Sequence, residues 1–133
     1  MRLPLDTHAF LWFLLDDTKL SIAARDLIDD PGNDIEVSPA THWEIAIKVS
    51  LRKHELPEPF EVFIEREISI NDSHILHIEP KHTAALTRMP FHHRDPFDRL
   101  LIAQAMVELD FGHSSQNEIP GKIAAYVGLM AGA

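Results

Sequence analysis

No cysteine occurs among the 133 residues, which excludes a disulfide framework and any thiolate metal site. Cations are scarce: 12 Lys and Arg stand against 21 Asp and Glu, for a formal charge of −9. That balance excludes broad electrostatic capture of a nucleic acid, which rests on many contacts to phosphate. Any such role must depend on a few local basic residues and on metal ions. Long apolar runs are also missing. Residues 9–15 form the N-terminal run, but Asp16-Asp17 ends it. It is too short for a membrane span and lacks the small-residue cleavage site of a signal peptide. A cytoplasmic protein is the expectation. There is no Gly-rich phosphate loop, no internal repeat and no low-complexity segment. Histidines number nine, yet no pair shows the i, i+4 spacing of a zinc helix.

What is present is apolar and regularly patterned. Apolar residues make up 45% of the chain, enough for one domain with a sizeable core. Short strands are expected at residues 3–5, 35–38 and 75–78. Helices are expected at 7–15, 21–28, 39–52, 60–67, 81–88 and 97–109, with a turn at 31–34. The last helix is the most apolar and should lie centrally. Strands separated by helices imply an α/β fold, a short parallel sheet flanked by helices. In such folds the functional crevice lies at the carboxyl ends of the strands, where Asp6 falls.

Three acids sit beside segments that favour burial, and each has a structural explanation alongside a chemical one. Asp6, between a strand and a helix, is either an N-cap or a metal ligand. Asp95 suits an N-cap, with Pro96 at the first helical position and Asp98 at the third, where a carboxylate also suits the helix dipole. Glu44 lies mid-helix beside the apolar stripe Trp43, Ile47 and Leu51, where capping cannot explain it. Lys48 and Arg52 follow at i+4 and i+8. The group is either a solvated Glu–Lys pair or a ligand flanked by cations that steer a phosphate backbone. His92-His93 are adjacent in a loop and read as surface residues.

Taken together, Leu5-Asp6-Thr7-His8, then Val37-Ser38-Pro39-Ala40 leading into Trp43-Glu44-Ile45-Ala46-Ile47-Lys48, then His93-Arg94-Asp95-Pro96-Phe97-Asp98-Arg99-Leu100-Leu101-Ile102-Ala103 resemble the PIN domain. More narrowly they resemble a VapC-type toxin of bacterial toxin–antitoxin pairs. The likeness runs in order from about residue 2 to residue 109. It implies a PIN-like three-layer fold over residues 1–109 and a metal-dependent endoribonuclease. By motif, Asp6, Glu44 and Asp98 correspond to acids that bind Mg²⁺ or Mn²⁺, with Asp95 in the same signature. Lys48, Arg52, Arg94 and Arg99 would contact RNA. The resemblance also implies a cognate antitoxin whose tail covers the acidic site, and a homodimer; the apolar residues 10–15 offer surface for such an interface.

The likeness stops abruptly. The family continues with an apolar strand ending in a fourth acid, whereas this chain reads Asp110-Phe111-Gly112-His113-Ser114-Ser115. Residues 110–133 are expected to be a diverged or frame-shifted tail, with the C-terminal strand missing or altered and neither Asp110 nor Glu118 an evident substitute for the acid. Without that strand the first one presents an open edge, and Pro4 within it lacks a ladder donor. Three functions stay open: a nuclease toxin, a catalytically impaired PIN-like protein that binds antitoxin or RNA, and an interaction domain in which the acids are only caps.

Overall fold

The structure, a computed structural model, describes residues 2–70, 72–89 and 95–109. The chain order is β1 (Arg2–Pro4), α1 (Thr7–Leu14), α2 (Ile22–Asp29), β2 (Asp34–Val37), α3 (Pro39–Ser50), α4 (Phe60–Ile70), β3 (His74–Ile75), α5 (Pro80–Leu86) and α6 (Pro96–Glu108). The strands form a parallel sheet in the order β1-β2-β3, with Leu3 opposite Ile35 and Val37 opposite Ile75. The expected α/β class and its parallel sheet with helical cover are what the fold shows. No helix of the described residues is long and apolar enough to cross a membrane.

Side-chain caps start the helices where the sequence places Ser or Asp. Ser21 accepts from the Ala24 amide, Ser38 from Ala40, and Asp95 from Phe97 and Asp98. The helix ends are less orthodox. Asp16, Arg52 and Asp72 take positive φ values of 53°, 57° and 51°. After α3, the Arg52 amide bonds to the Val49 carbonyl and the Lys53 amide to that of Lys48. After α1, the Asp16 and Asp17 amides bond to Phe13 and Trp12 in the same way. These are Schellman closures made without the glycine that usually serves them. The closure also corrects one expectation: α3 ends at Ser50, so Arg52 leaves the helix and does not share its face with Glu44 and Lys48.

One core cluster gathers Leu3, Leu5, Phe10, Leu11, Ile35, Val37, Ile45 and Phe63 beneath the sheet, with Trp12, Phe13 and Leu14 packed against it. The apolar surface of α1 is therefore largely consumed by the chain's own core. In α6 the run Leu101 to Ala105 is buried throughout, as its composition suggests. The third strand stops earlier than expected, at Ile75. The Leu76 amide still donates to Val37, where β2 ends, but the next ladder donor would be Pro39, which has no amide, and the Leu76 and His77 carbonyls accept from Gln104 Nε2 instead, at 3.1 and 3.4 Å.

Pro4 fits β1 for a local reason. The Leu5 amide donates to Glu36 of β2, and alternate strand residues point their backbone groups to opposite sides, so the missing Pro4 donor faces away from β2. No other strand pairs β1 among the described residues. The expected tail at 110–133 lies outside those residues.

The amino end of the sheet is tied to the far end of α6. Arg2 holds Glu36 with two bonds of 2.8 Å and reaches the backbone carbonyl and side chain of Glu108 at 3.0 and 3.2 Å. His82, fully buried, accepts the Glu79 amide at Nδ1 and therefore carries its proton on Nε2, 2.7 Å from Glu108 Oε1. Burial works to raise the Glu108 pKa, but hydrogen bonds from His82, Arg2 and Lys81 outweigh it and hold the carboxylate below its ordinary range.

Candidate metal centre

At the opposite end of the sheet, β1 delivers Asp6 to the start of α1. The geometry makes Asp6 an N-cap: Oδ1 accepts the Ala9 amide at 2.7 Å. The cap uses one carboxylate oxygen only, so capping and ligation are compatible roles and not rivals. Asp6 is 8% exposed. Burial raises its pKa, the Ala9 hydrogen bond and the His8 charge oppose that, and the Asp98 and Glu44 charges raise it further. Asp6 thus feels the other two acids, which come from separate helices more than thirty residues away in sequence.

Glu44 reaches the same place from α3. It is 6% exposed, which rules out the solvated pair as a full account. Oε2 does meet Lys48 Nζ at 3.4 Å, but Oε1 is buried with no hydrogen-bond partner among the described residues. An uncompensated carboxylate oxygen in such a position is unfavourable unless a further group completes it. Asp98 lies in the first turn of α6, half-buried, its amide held with that of Phe97 by the Asp95 cap at 3.2 and 2.8 Å. Asp95 itself is exposed.

Side-chain contacts hold these elements in place. Thr7 and Thr41, both buried, share a hydrogen bond of 3.3 Å that sets α1 against α3 beside Asp6 and Glu44. Trp43 and Phe97 pack edge to face with centroids 5.1 Å apart, joining α3 to α6 beside Glu44 and Asp98. The sequence gives no local sign of either contact. Thr7 and Thr41 each read as ordinary helix residues, and only the fold pairs them.

Three acids from three elements, one with an oxygen unpartnered among the described residues and one whose pKa the other two raise, bring negative charge to the carboxyl end of the sheet. A donor set of carboxylates alone suits a hard ion that prefers oxygen. Of the cations expected nearby, Lys48 is engaged with Glu44, Arg99 of α6 reaches the Leu86 carbonyl at 3.5 Å, and Arg52 is exposed beyond α3. Arg94, with His92-His93, lies outside the described residues.

Among the described residues, the group whose ligand atoms all lie within 4.8 Å of one another is a different one, Glu79, His82 and Glu108. Its atoms are already committed. Both ring nitrogens of His82 are engaged, and Glu108 also meets Arg2 and Lys81. The group is read as a structural clamp.

No curated protein and no solved structure matches the chain. A family does: the PIN domain, whose members are usually metal-dependent nucleases, matches residues 4–109. That span takes in Asp6, Glu44, Asp95 and Asp98 and all the elements from the end of β1 through α6. On the strength of this match and of the fold, the chain belongs to the PIN domain family.

Proposed function

We propose that this chain is a metal-dependent endoribonuclease that hydrolyses RNA phosphodiesters, the toxin of a VapC-type toxin–antitoxin pair. The observation that supports the reading best is the buried Glu44, whose Oε1 has no partner among the described residues, with Asp6 near enough to feel its charge and that of Asp98. In this reading the three carboxylates hold Mg²⁺ or Mn²⁺, and Asp95 orders the turn that presents Asp98. When bound, such an ion neutralises charge on the scissile phosphate and activates water for in-line attack.

The chain's own residues do the positioning. The Ala9 amide fixes the Asp6 rotamer, Lys48 orients Glu44, and the Thr7–Thr41 bond sets the spacing between α1 and α3. Lys48, Arg52, Arg94 and Arg99 are the proposed RNA contacts. The proposed partners are a small antitoxin whose tail covers the acids, and a second copy of the chain.

The test is cleavage of single-stranded RNA by the purified chain with Mg²⁺ or Mn²⁺, compared with the same reaction in EDTA. Cleavage is expected only with metal. Even changes outside the ligand shell lower metal affinity about 10–100-fold, so an Asp6→Asn, Asp98→Asn double variant should lose at least about a hundredfold in rate. A folded chain that binds RNA or antitoxin but never cleaves would replace this reading with that of an impaired PIN-like binder.

A further inference from the structure

Trp43 is the one aromatic among the well-exposed large apolar residues of the described chain, with 64% of its surface open. Its place is specific. The next residue, Glu44, turns inward with its orphaned oxygen, while Trp43 turns outward. Its ring contacts Phe97 at 5.1 Å and an interplanar angle of 73°, and Phe97 immediately precedes Asp98. The aromatic pair therefore bridges α3 and α6, with each ring one residue from an acid of the candidate centre. Phe97 is half-buried, so it restrains the Trp43 ring without covering it.

We propose that Trp43 is a stacking platform for the nucleobase beside the scissile phosphate. The inference rests on the nuclease reading above and specifies how that site takes its substrate. The exposed Trp43 ring packs on Phe97, next to Asp98, and so flanks the acids from the solvent side. A phosphate drawn to a cation among the acids would bring its neighbouring base toward that ring. Stacking also answers the charge problem of this chain. At a formal charge of −9 it has few cations to hold a phosphate backbone, whereas base–aromatic stacking needs none and accepts any base. An apolar protein partner is the competing occupant. It would use the whole α3 stripe, Trp43, Ile47 and the exposed Leu51, and would not require an aromatic ring at its acidic end.

The two occupants part company on substitution. The probe is a short single-stranded RNA carrying a fluorescent adenine analogue, mixed with Mn²⁺ and with wild type, Trp43→Phe or Trp43→Leu. Both variants alter a largely exposed side chain, so both should fold, and the Mn²⁺ affinity of each separates loss of stacking from any shift of the acids through the Phe97 contact. Wild type is expected to quench the analogue on binding and then to cleave. Trp43→Phe should keep most of the quenching, while Trp43→Leu should lose it, weaken binding about tenfold and raise KM more than it lowers kcat. Quenching and its loss in the Leu variant without any cleavage would uphold the platform and sink the nuclease reading. Cleavage and binding by Trp43→Leu equal to wild type would overturn the platform and leave the nuclease reading standing. A wild type that neither binds nor cleaves the RNA would overturn both.

Discussion

Asp6 concentrates the chemistry of this chain in one carboxyl group. It caps α1 through Oδ1 and lies buried within reach of the charges of Glu44 and Asp98. Because its pKa is raised in the fold, the folded chain holds this proton more tightly than the unfolded chain does. Its contribution is therefore neutral below the ordinary value of 3.8. It becomes unfavourable as pH rises through the raised folded value, and stays so above it. Asn caps a helix as well as Asp, so Asp6→Asn should raise the melting temperature of the metal-free protein at neutral pH. The gain should vanish in acid. Mn²⁺ should stabilise wild type by selective binding to the folded state and leave the variant unmoved, which thermal unfolding at two pH values with and without Mn²⁺ would check. A variant less stable than wild type without metal would show that the cap, and not charge crowding, governs this position. Local sequence could show Asp6 as a cap or as a ligand but not as both, because the crowding comes from residues far along the chain. Glu44 is the converse case. Its i, i+4 lysine is plain in the sequence, while its burial depends on where α3 lies against α1 and α6.

The helices follow from local signals more fully than their ends do. Ser21, Ser38 and Asp95 cap where side-chain chemistry says they should, and Pro39 and Pro96 sit in the first turns of α3 and α6. The end of α3 is hidden because the residue that closes it is not glycine, and Arg52 looks like a continuing polar position, whereas Asp16-Asp17 marks the end of α1 openly. Arg52 and Asp16 both adopt left-handed backbone, a conformation that carries a penalty of about 1 kcal/mol for a side chain with Cβ. Asp16 pairs with Arg25 at 3.0 Å, but it is 89% exposed there, so the pair adds little. Asp16→Gly should therefore stabilise the chain by roughly 0.5–1 kcal/mol, or about 2–4 °C in melting temperature. A calorimetric scan showing a loss would mean that the Arg25 pair matters more than the backbone strain. The short β3 was hidden for another reason: the alternation of residues 75–78 suits a strand, but its partner β2 ends at Val37, Pro39 has no amide to extend the ladder, and Gln104 takes up the Leu76 and His77 carbonyls.

For the molecule as a whole, the balance of charge sets how it can meet RNA. A single strand loses affinity with salt at a slope of about −0.7 per phosphate neutralised. Lys48, Arg52, Arg94 and Arg99 are the proposed contacts, so the log–log slope for RNA binding should be no steeper than about −3. Binding should also depend far more on Mn²⁺ than on monovalent salt. A steeper slope in a filter-binding titration would point to a basic surface larger than these four residues. The fold class was legible from alternating strands and helices, and the family from three motifs in order. The sheet order was not, since pairings such as Leu3 with Ile35 are settled by packing across the molecule.

The clamp of Arg2 on Glu108 joins residues 106 apart in sequence. During synthesis, Arg2 and the first strand leave the ribosome long before their partner exists. The early elements must wait, with Glu36 available to hold Arg2 in the interval. The acids then gather late as well, because Asp98 arrives on the same helix that carries Glu108. A chain still being translated would thus lack a complete acidic centre. On the proposed function, the chain would be inert toward the very message that encodes it until α6 has docked.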